Sequence, residues 1–278
     1  MELKPGAQSS PEQPAAATSC GLLIVNADDW GRDAETTQRT LDCVSRNVVS
    51  AVSAMVFMAD SVRAARISQE NSIDTGLHLN LTTPFSGSSH SSRLAEQQQR
   101  LISYLVSCRM SRVIYHPGLA QTFNYVCRAQ IGEFCRLYGK MPERIDGHHH
   151  MHLCSNVLFG GLLPAGTIVR RNWTFRRGDK NVVNRLYRNA IDRILARRHQ
   201  MADYLFALSP IEPIDRLRQV FSLASQAVVE VEAHPVNPDE YHFLMSDDFT
   251  RLTTGIRRRG FSALRTYQSV CDQAVYVN

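Results

Sequence analysis

The sequence predicts a single-domain α/β fold, a (β/α) barrel-like, TIM-barrel-like sheet of mostly parallel strands. Three observations carry this. Short apolar runs alternate with stretches of helical periodicity about seven times along the chain. Polar side chains capable of chemistry follow several separate strands, which is how barrel active sites are assembled. No G-x-G-x-x-G follows a strand, so an open dinucleotide-binding sheet lacks its best cue.

The first strand is read at GLLIVNADDW, where four apolar residues, Leu22 to Val25, run without alternation into Asn-Ala-Asp-Asp. Such a run suits a strand buried on both faces and ending in a polar turn. Helical spacing follows at 33–46, a strand at AVSAMVF (51–57), a helix at 60–70 and a strand at TGLHLNLT (75–82). Residues 83–116, including TPFSGSSHSS, read as irregular and as a loop at the mouth of a site. A long helix at 117–138 leads into RIDGHHH. Then come TIVRR (167–171), a helix near 180–198, YLFAL (204–208), a helix near 214–225 and AVVEVEAHP (227–235). Residues 1–20, rich in Ser, Pro, Ala and Gln, are expected to form a disordered extension, with one folded domain over 21–278.

Apolar residues make up 44% of the chain and charged residues 21%, enough for a substantial core. The net charge of +5 is densest from Arg170 to Arg198. Aromatic interleaving is sparse there, so a solvated helix face is expected rather than a nucleic-acid partner. Seven scattered cysteines without a C-x-x-C pair argue for a reducing compartment. No run is long and apolar enough to span a bilayer, and no signal-peptide pattern opens the chain. Cytoplasmic location, no nucleic-acid or membrane partner and a candidate homodimer are the expectations.

Of ten histidines, four lie in the internal stretch DGHHHMH, which raises the question of metal. Four polar clusters stand at strand ends: Asp28–Asp29, His78, Asp146 with His148 to His152, and His234. Singly, each has an ordinary explanation, such as a helix N-cap for the aspartates or a turn for His-Pro. Together they offer imidazole and carboxylate ligands, of which catalytic sites use about three with one position left open. Asp29, His78 and His148 make a two-histidine, one-carboxylate set, each from a different strand. Neighbouring side chains at a strand end point different ways, so one aspartate can bind metal while the other faces substrate. His152, four residues past His148, has a helical spacing that would share its face. Asp146 is placed to orient a histidine.

These stretches resemble the YdjC/ChbG-like carbohydrate deacetylases. LLIVNADDWG is similar to their opening motif, with Trp30 in place of a Phe. GLHLNLT, GKMPERIDGHHHMH, TIVR and VEVEAHP resemble later motifs in the same order. The resemblance implies a barrel-like fold and hydrolytic removal of acetyl from an N-acetylated sugar such as a chito-oligosaccharide. It also implies one divalent ion, magnesium by family habit, although two imidazoles suit zinc, cobalt or nickel better. It places the metal on Asp29, His78 and His148, the base on Asp28 and an acid or orienting role on His234; the two aspartates could exchange roles. Arg170 in TIVR would hold substrate or lie as a surface charge. AMVFMADS, which lacks the Asn of many relatives, and 83–116 depart from the pattern. The rivals are a metal-dependent phosphoesterase and a sugar-binding relative without turnover.

Overall fold

In the computed structural model, residues 21–175 and 182–264 are described; the expected extension at 1–20 lies outside them. Seven strands form one all-parallel sheet in the order β5-β4-β3-β2-β1-β7-β6. They are β1 (Leu22–Trp30), β2 (Ala51–Ala54), β3 (Thr75–Leu79), β4 (Arg144–Gly147), β5 (Ile168–Val169), β6 (Tyr204–Ala207) and β7 (Val228–Ala233). The sheet curls until its edges come back together. Ile168 bridges Gln200 just before β6, and Thr174 N–H donates to Leu205 O at 2.9 Å.

The helices are α1 (Ala34–Ser45), α2 (Ser61–Glu70), α3 (Ser92–Ser107), α4 (Ala120–Tyr138), α5 (Ser155–Phe159), α6 (Val182–Ala196), α7 (Ile214–Leu223), α8 (Pro238–Leu244) and α9 (Asp247–Thr253). Most connect parallel strands as crossovers, as this topology requires. The longest element missing from the sequence reading is α3, inside the stretch expected to be irregular; the short helices α5, α8 and α9 were not read either. Its buried face, Leu94, Gln98, Leu101, Ile102 and Leu105, is interrupted by the polar run Glu-Gln-Gln-Gln, which hides the period. Gln98 explains why a polar residue sits there: its side-chain amide donates to Thr83 O and its oxygen accepts from Phe85 N–H, pinning the loop after β3.

The strands obey the two-residue alternation, and that alternation builds the site. Leu23, Val25 and Ala27 of β1 face the helices within the main core, beside Val52, Leu77, Ile145, Val169, Val229 and Val231. The opposite residues face the barrel interior. Leu22, Ile24, Ala51, Ile168 and Val228 form an apolar floor with Phe261. Above it the same inward positions turn polar: Asn26 and Asp28, Ser53, His78, Arg144 and Asp146, Arg170, Glu230 and Glu232, all buried. The barrel thus grades from a dry base to an ionisable top at the carboxyl ends of its strands.

Gly76, an inward position on β3, leaves room for the Arg144 guanidinium; a Cβ there would stand 2.6 Å from Arg144 Cζ. Gly76→Ala is expected to destabilise the fold by about 1–3 kcal/mol through overpacking, measured by thermal or urea denaturation. An unchanged midpoint would show that Arg144 can move aside freely.

Candidate metal centre and catalytic site

Asp28 reaches the interior by simple alternation, but Asp29 should point to the helices. A β-bulge reverses it. Between Ala27 and Trp30 the pairing of β1 with β2 slips by one residue, and Asp29 takes a left-handed φ of 65°. Bulges commonly re-aim a side chain beside a functional site. The expectation that the two aspartates diverge is therefore corrected: both carboxylates face the same cavity, Asp28 Oδ2 lying 3.8 Å and Asp29 Oδ1 3.5 Å from His78 Nε2.

His78 is held from behind, its Nδ1 2.8 Å from Asp146 Oδ1. Asp146 in turn accepts from Ser53 Oγ at 2.5 Å and from Arg144 Nη1 at 2.9 Å. His148 follows β4 directly, with its Nδ1 3.0 Å from Asp29 Oδ1, and Arg32 Nη1 donates to Asp29 Oδ2 at 2.6 Å. The ligand atoms of Asp29, His78 and His148 lie within 4.8 Å of one another. His78 Nε2 is buried without a hydrogen-bond partner, and among the described residues the only neighbour of buried Asp29 Oδ1 at bonding distance is His148 Nδ1, itself a candidate ligand, at 3.0 Å. Orphaned buried donors and acceptors are costly and call for a missing partner. A divalent cation fits this donor set and would satisfy these atoms.

Two other groups have similar spacing, Asp28 with Glu232 and His234, and Asp28 with His78 and Asp146. Their carboxylates are already engaged by Arg170. Its Nη1 and Nη2 donate to both oxygens of Asp28 at 2.7 Å, Nη1 to Glu232 Oε2 at 2.8 Å and Nε to Glu230 Oε1 at 2.7 Å, with Asp146 Oδ2 3.1 Å from Nη2. Arg170 is 2% exposed, so it is no surface charge. It lies beneath the cavity and binds four acids there.

The remaining histidines divide. Residues 148–153 are not one helical face: a tight 3₁₀ segment is kinked where His149 and His150 take φ of 54° and 58°. His152 consequently turns away from His148, and its Nε2 meets Arg170 O at 2.9 Å. Burial pushes its pKa down to about 3. His149 rests on Thr82 Oγ1 at 2.9 Å, and burial, then His148, lower it to about 4. His150 pairs with Glu232 at 3.2 Å, its ring 4.7 Å from that of Trp173. His234 ends β7 at the rim, its side chain 35% exposed and its Nε2 3.9 Å from Glu232 Oε1.

Burial opposes every charge in this cage, and the partners decide each outcome. For Asp29 the bond to His148 and the charge of His78 outweigh burial and hold the carboxyl well below its ordinary range. Arg170, then His78, do the same for Asp146. Asp28 and Asp146 overcome the burial of His78 and raise it to about 9. Arg170 and His150 bring Glu232 down to about 2. Glu230 is the exception: burial dominates even beside Arg170 and raises it to about 7. A raised carboxyl stabilises the fold fully below its unfolded value near 4.5 and loses that contribution as pH rises through about 7. Glu230→Gln, which keeps the acceptor for Arg170 without the charge, should remove about 3 kcal/mol of that pH dependence. Melting at pH 5 and pH 8 in metal-free protein checks it; an unaltered pH slope would count against it.

Glu230, Glu232, Arg144, Asn26 and Ser53 were not singled out from sequence. A signal existed for the glutamates: in VVEVEA they recur every second residue on a fully buried strand, so both had to face the interior.

A curled parallel α/β sheet carries a carboxylate–bis-imidazole pocket at the carboxyl ends of its strands, which a divalent ion would fit. The chain belongs to the YdjC-like protein family, whose pattern it matches over residues 22–269. It is 28% identical to a chitooligosaccharide deacetylase of Yersinia enterocolitica over 137 residues, 49% of this chain and 52% of that one. It is 29% identical to a carbohydrate deacetylase of Danio rerio over 139 residues, 49% and 43% of the two chains. The matched region thus spans about half the length of these relatives. An Enterococcus faecalis crystal structure described as a candidate cellobiose-phosphate cleavage protein superposes with a TM-score of 0.62 at 16% identity, covering 88% of this chain and 98% of that one, a likeness of fold.

Proposed function

We propose that this protein is a metal-dependent hydrolase that removes the acetyl group from an N-acetylated sugar, a chito-oligosaccharide or a related acetamido-sugar. The observation that carries the reading is the buried His78 Nε2, which has no hydrogen-bond partner, converging with Asp29 Oδ1 and His148 while a second carboxylate, Asp28, lies next to them. Family membership and the deacetylase names of the relatives support it. Asp29, His78 and His148 would hold one divalent ion. Bound there, it supplies Lewis acidity toward the acetyl carbonyl and the attacking water. The ligand chemistry favours zinc, cobalt or nickel, and the family resemblance magnesium.

In this reading Asp28 takes the proton as water oxygen bonds to the carbonyl carbon. His234, at the open rim, gives a proton to the nitrogen as the carbon–nitrogen bond breaks. Arg170 holds Asp28 by a two-pronged bond that sets its direction. Asp146 fixes the tautomer and orientation of His78, as carboxylates behind metal-binding histidines do, and His152 supports the Arg170 backbone. The proposed unit is the domain at 21–278, acting in the cytoplasm without nucleic acid or membrane, with a homodimer as its expected assembly. No helix among the described residues is long and apolar enough to cross a membrane.

Asp28→Asn should lower acetate release by roughly 10²-fold or more while metal content stays near that of the parent. Full activity would remove Asp28 from the base role. Acetate release from a panel of acetamido-sugars, with several divalent ions added to apo protein, tests the whole reading. Release of phosphate instead would favour the phosphoesterase rival, and tight sugar binding without acetate the non-catalytic one.

A further inference from the structure

The two aspartates of the pocket are held in different ways. Arg170 engages both oxygens of Asp28 from beneath. Asp29 is gripped from the rim by Arg32, and on one oxygen alone: Arg32 Nη1 donates to Oδ2 at 2.6 Å. Oδ1 is left facing His78 Nε2 at 3.5 Å and His148 Nδ1 at 3.0 Å. One oxygen of this carboxylate is therefore occupied before any cation enters.

The grip is built to keep its direction. The other two guanidinium nitrogens of Arg32 are tied to the start of α1: Nε donates to Asp33 Oδ2 at 2.9 Å and Nη2 to Thr36 Oγ1 at 3.0 Å. Asp33 is fixed in turn, because its Oδ1 caps α1 by accepting from Thr36 N–H at 2.8 Å. The main chain closes the same way, with Arg32 N–H donating to Asp29 O at 3.0 Å. That tight turn holds Asp29 and Gly31 in left-handed conformations and packs on α2, where a Cβ at Gly31 would lie 3.1 Å from Ala64 Cβ. A planar fork with all three nitrogens engaged holds a carboxylate in one orientation, which a lone point charge does not. An arginine that only neutralised Asp29 would need none of these anchors.

A carboxylate binds a cation through one oxygen or through two. Zinc completes about four ligands at short distances, whereas large ions such as calcium take about six to eight oxygens and often both from one carboxylate. For Asp29 the two-oxygen mode would require the charge-assisted bond from Arg32 to break at a carboxylate that is 2% exposed. We propose that Arg32 is a positioning residue that confines Asp29 to one-oxygen coordination and so selects small divalent ions over large ones. The inference rests on reading Asp29, His78 and His148 as the metal centre, and it adds a residue outside that set which governs the choice of ion.

The test is the ratio of zinc affinity to cadmium affinity, measured by calorimetry on the metal-free full chain. Cadmium matches zinc in charge and in its filled d shell, but it is larger and accepts both oxygens of a carboxylate. Loss of the arginine charge moves both affinities together and cancels in the ratio. Arg32→Met keeps the aliphatic stem and removes every donor; it should lower the zinc-over-cadmium ratio about tenfold, the scale for losing a partner behind a metal ligand. Arg32→Lys, which keeps the charge and a donor for Oδ2, should stay closer to the parent ratio. The Arg32 side chain is 28% exposed, so neither variant empties the core, and circular dichroism should match the parent. An unchanged or raised ratio in Arg32→Met overturns the proposal, because an arginine that merely braces the turn would weaken both ions alike. A parent chain that binds neither ion sinks the metal centre and the clamp with it. A parent that binds both, with a ratio indifferent to residue 32, leaves the centre standing and removes the clamp alone.

Discussion

Arg170→Met is expected to lower the stability of the folded protein by about 3–5 kcal/mol, the scale for removing one partner of a buried charge network. The cause is what remains behind. Asp28, Asp146, Glu230 and Glu232 converge on that guanidinium inside the barrel, and Arg170 is buried with them. Arg144, also buried, pairs with Asp146 alone of these acids, at 2.9 Å. Without Arg170 the acids must protonate, separate or admit water, and each response carries a cost. The charges of Asp146 and Asp28 hold Arg170 well above its ordinary pKa, so it stays protonated at any pH in use. Urea denaturation followed by circular dichroism reads the effect. Arg170→Lys should fall between the two, since a single ammonium cannot bond four carboxylates in a plane. If the midpoint of Arg170→Met matched the parent, the cage would not be held by this residue. A loss confined to higher pH would show that the acids protonate to compensate.

His78→Ala should abolish tight binding of a divalent cation, because it deletes one of the three proposed ligands, the one whose Nε2 has no hydrogen-bond partner. Metal content after dialysis, beside that of His148→Ala and of Asp146→Asn, reads this directly. The Asp146 variant touches the ion only through His78 and should weaken uptake about 10–100-fold rather than remove it. Parent-like stoichiometry in His78→Ala would place the ion elsewhere. Protons should report the same centre. The pKa of His78 is raised to about 9 in metal-free protein, so at neutral pH the ring carries a proton that an incoming cation must displace. Metal uptake at pH 7 should therefore release about one proton, and affinity should strengthen as pH rises toward 9. The stability sign runs the other way in the metal-free protein. His78 contributes fully below its unfolded value near 6.5, and that contribution fades as pH rises through about 9.

Much of this architecture was legible in the chain. Unbroken apolar runs such as Leu22 to Val25 suit strands covered on both faces, and helical periods between them suit parallel crossovers. The ligand types were visible as well, because clusters of Asp and His follow several of the strands. The helix α3 was hidden by its polar interruption, and its buried Gln98 had no sequence cue. Arg170 could not be told from a surface arginine, since nothing local records that four acids from three other strands lie around it.

The sequence by itself determined the class of fold, the order of its strands along the chain and the residues available to bind a cation. Which way those residues face was settled by contacts distant in sequence. Alternation carries Asp28, His78 and Asp146 inward, but Asp29 reaches the same cavity only through a bulge with a left-handed φ of 65°. Likewise the two left-handed residues His149 and His150 turn His152 toward Arg170 and away from the candidate centre. The physical reason is one of range. Periodicity is a property of neighbouring residues, whereas a bulge or a buried charge cage persists only when surrounding strands make it the lowest-energy arrangement.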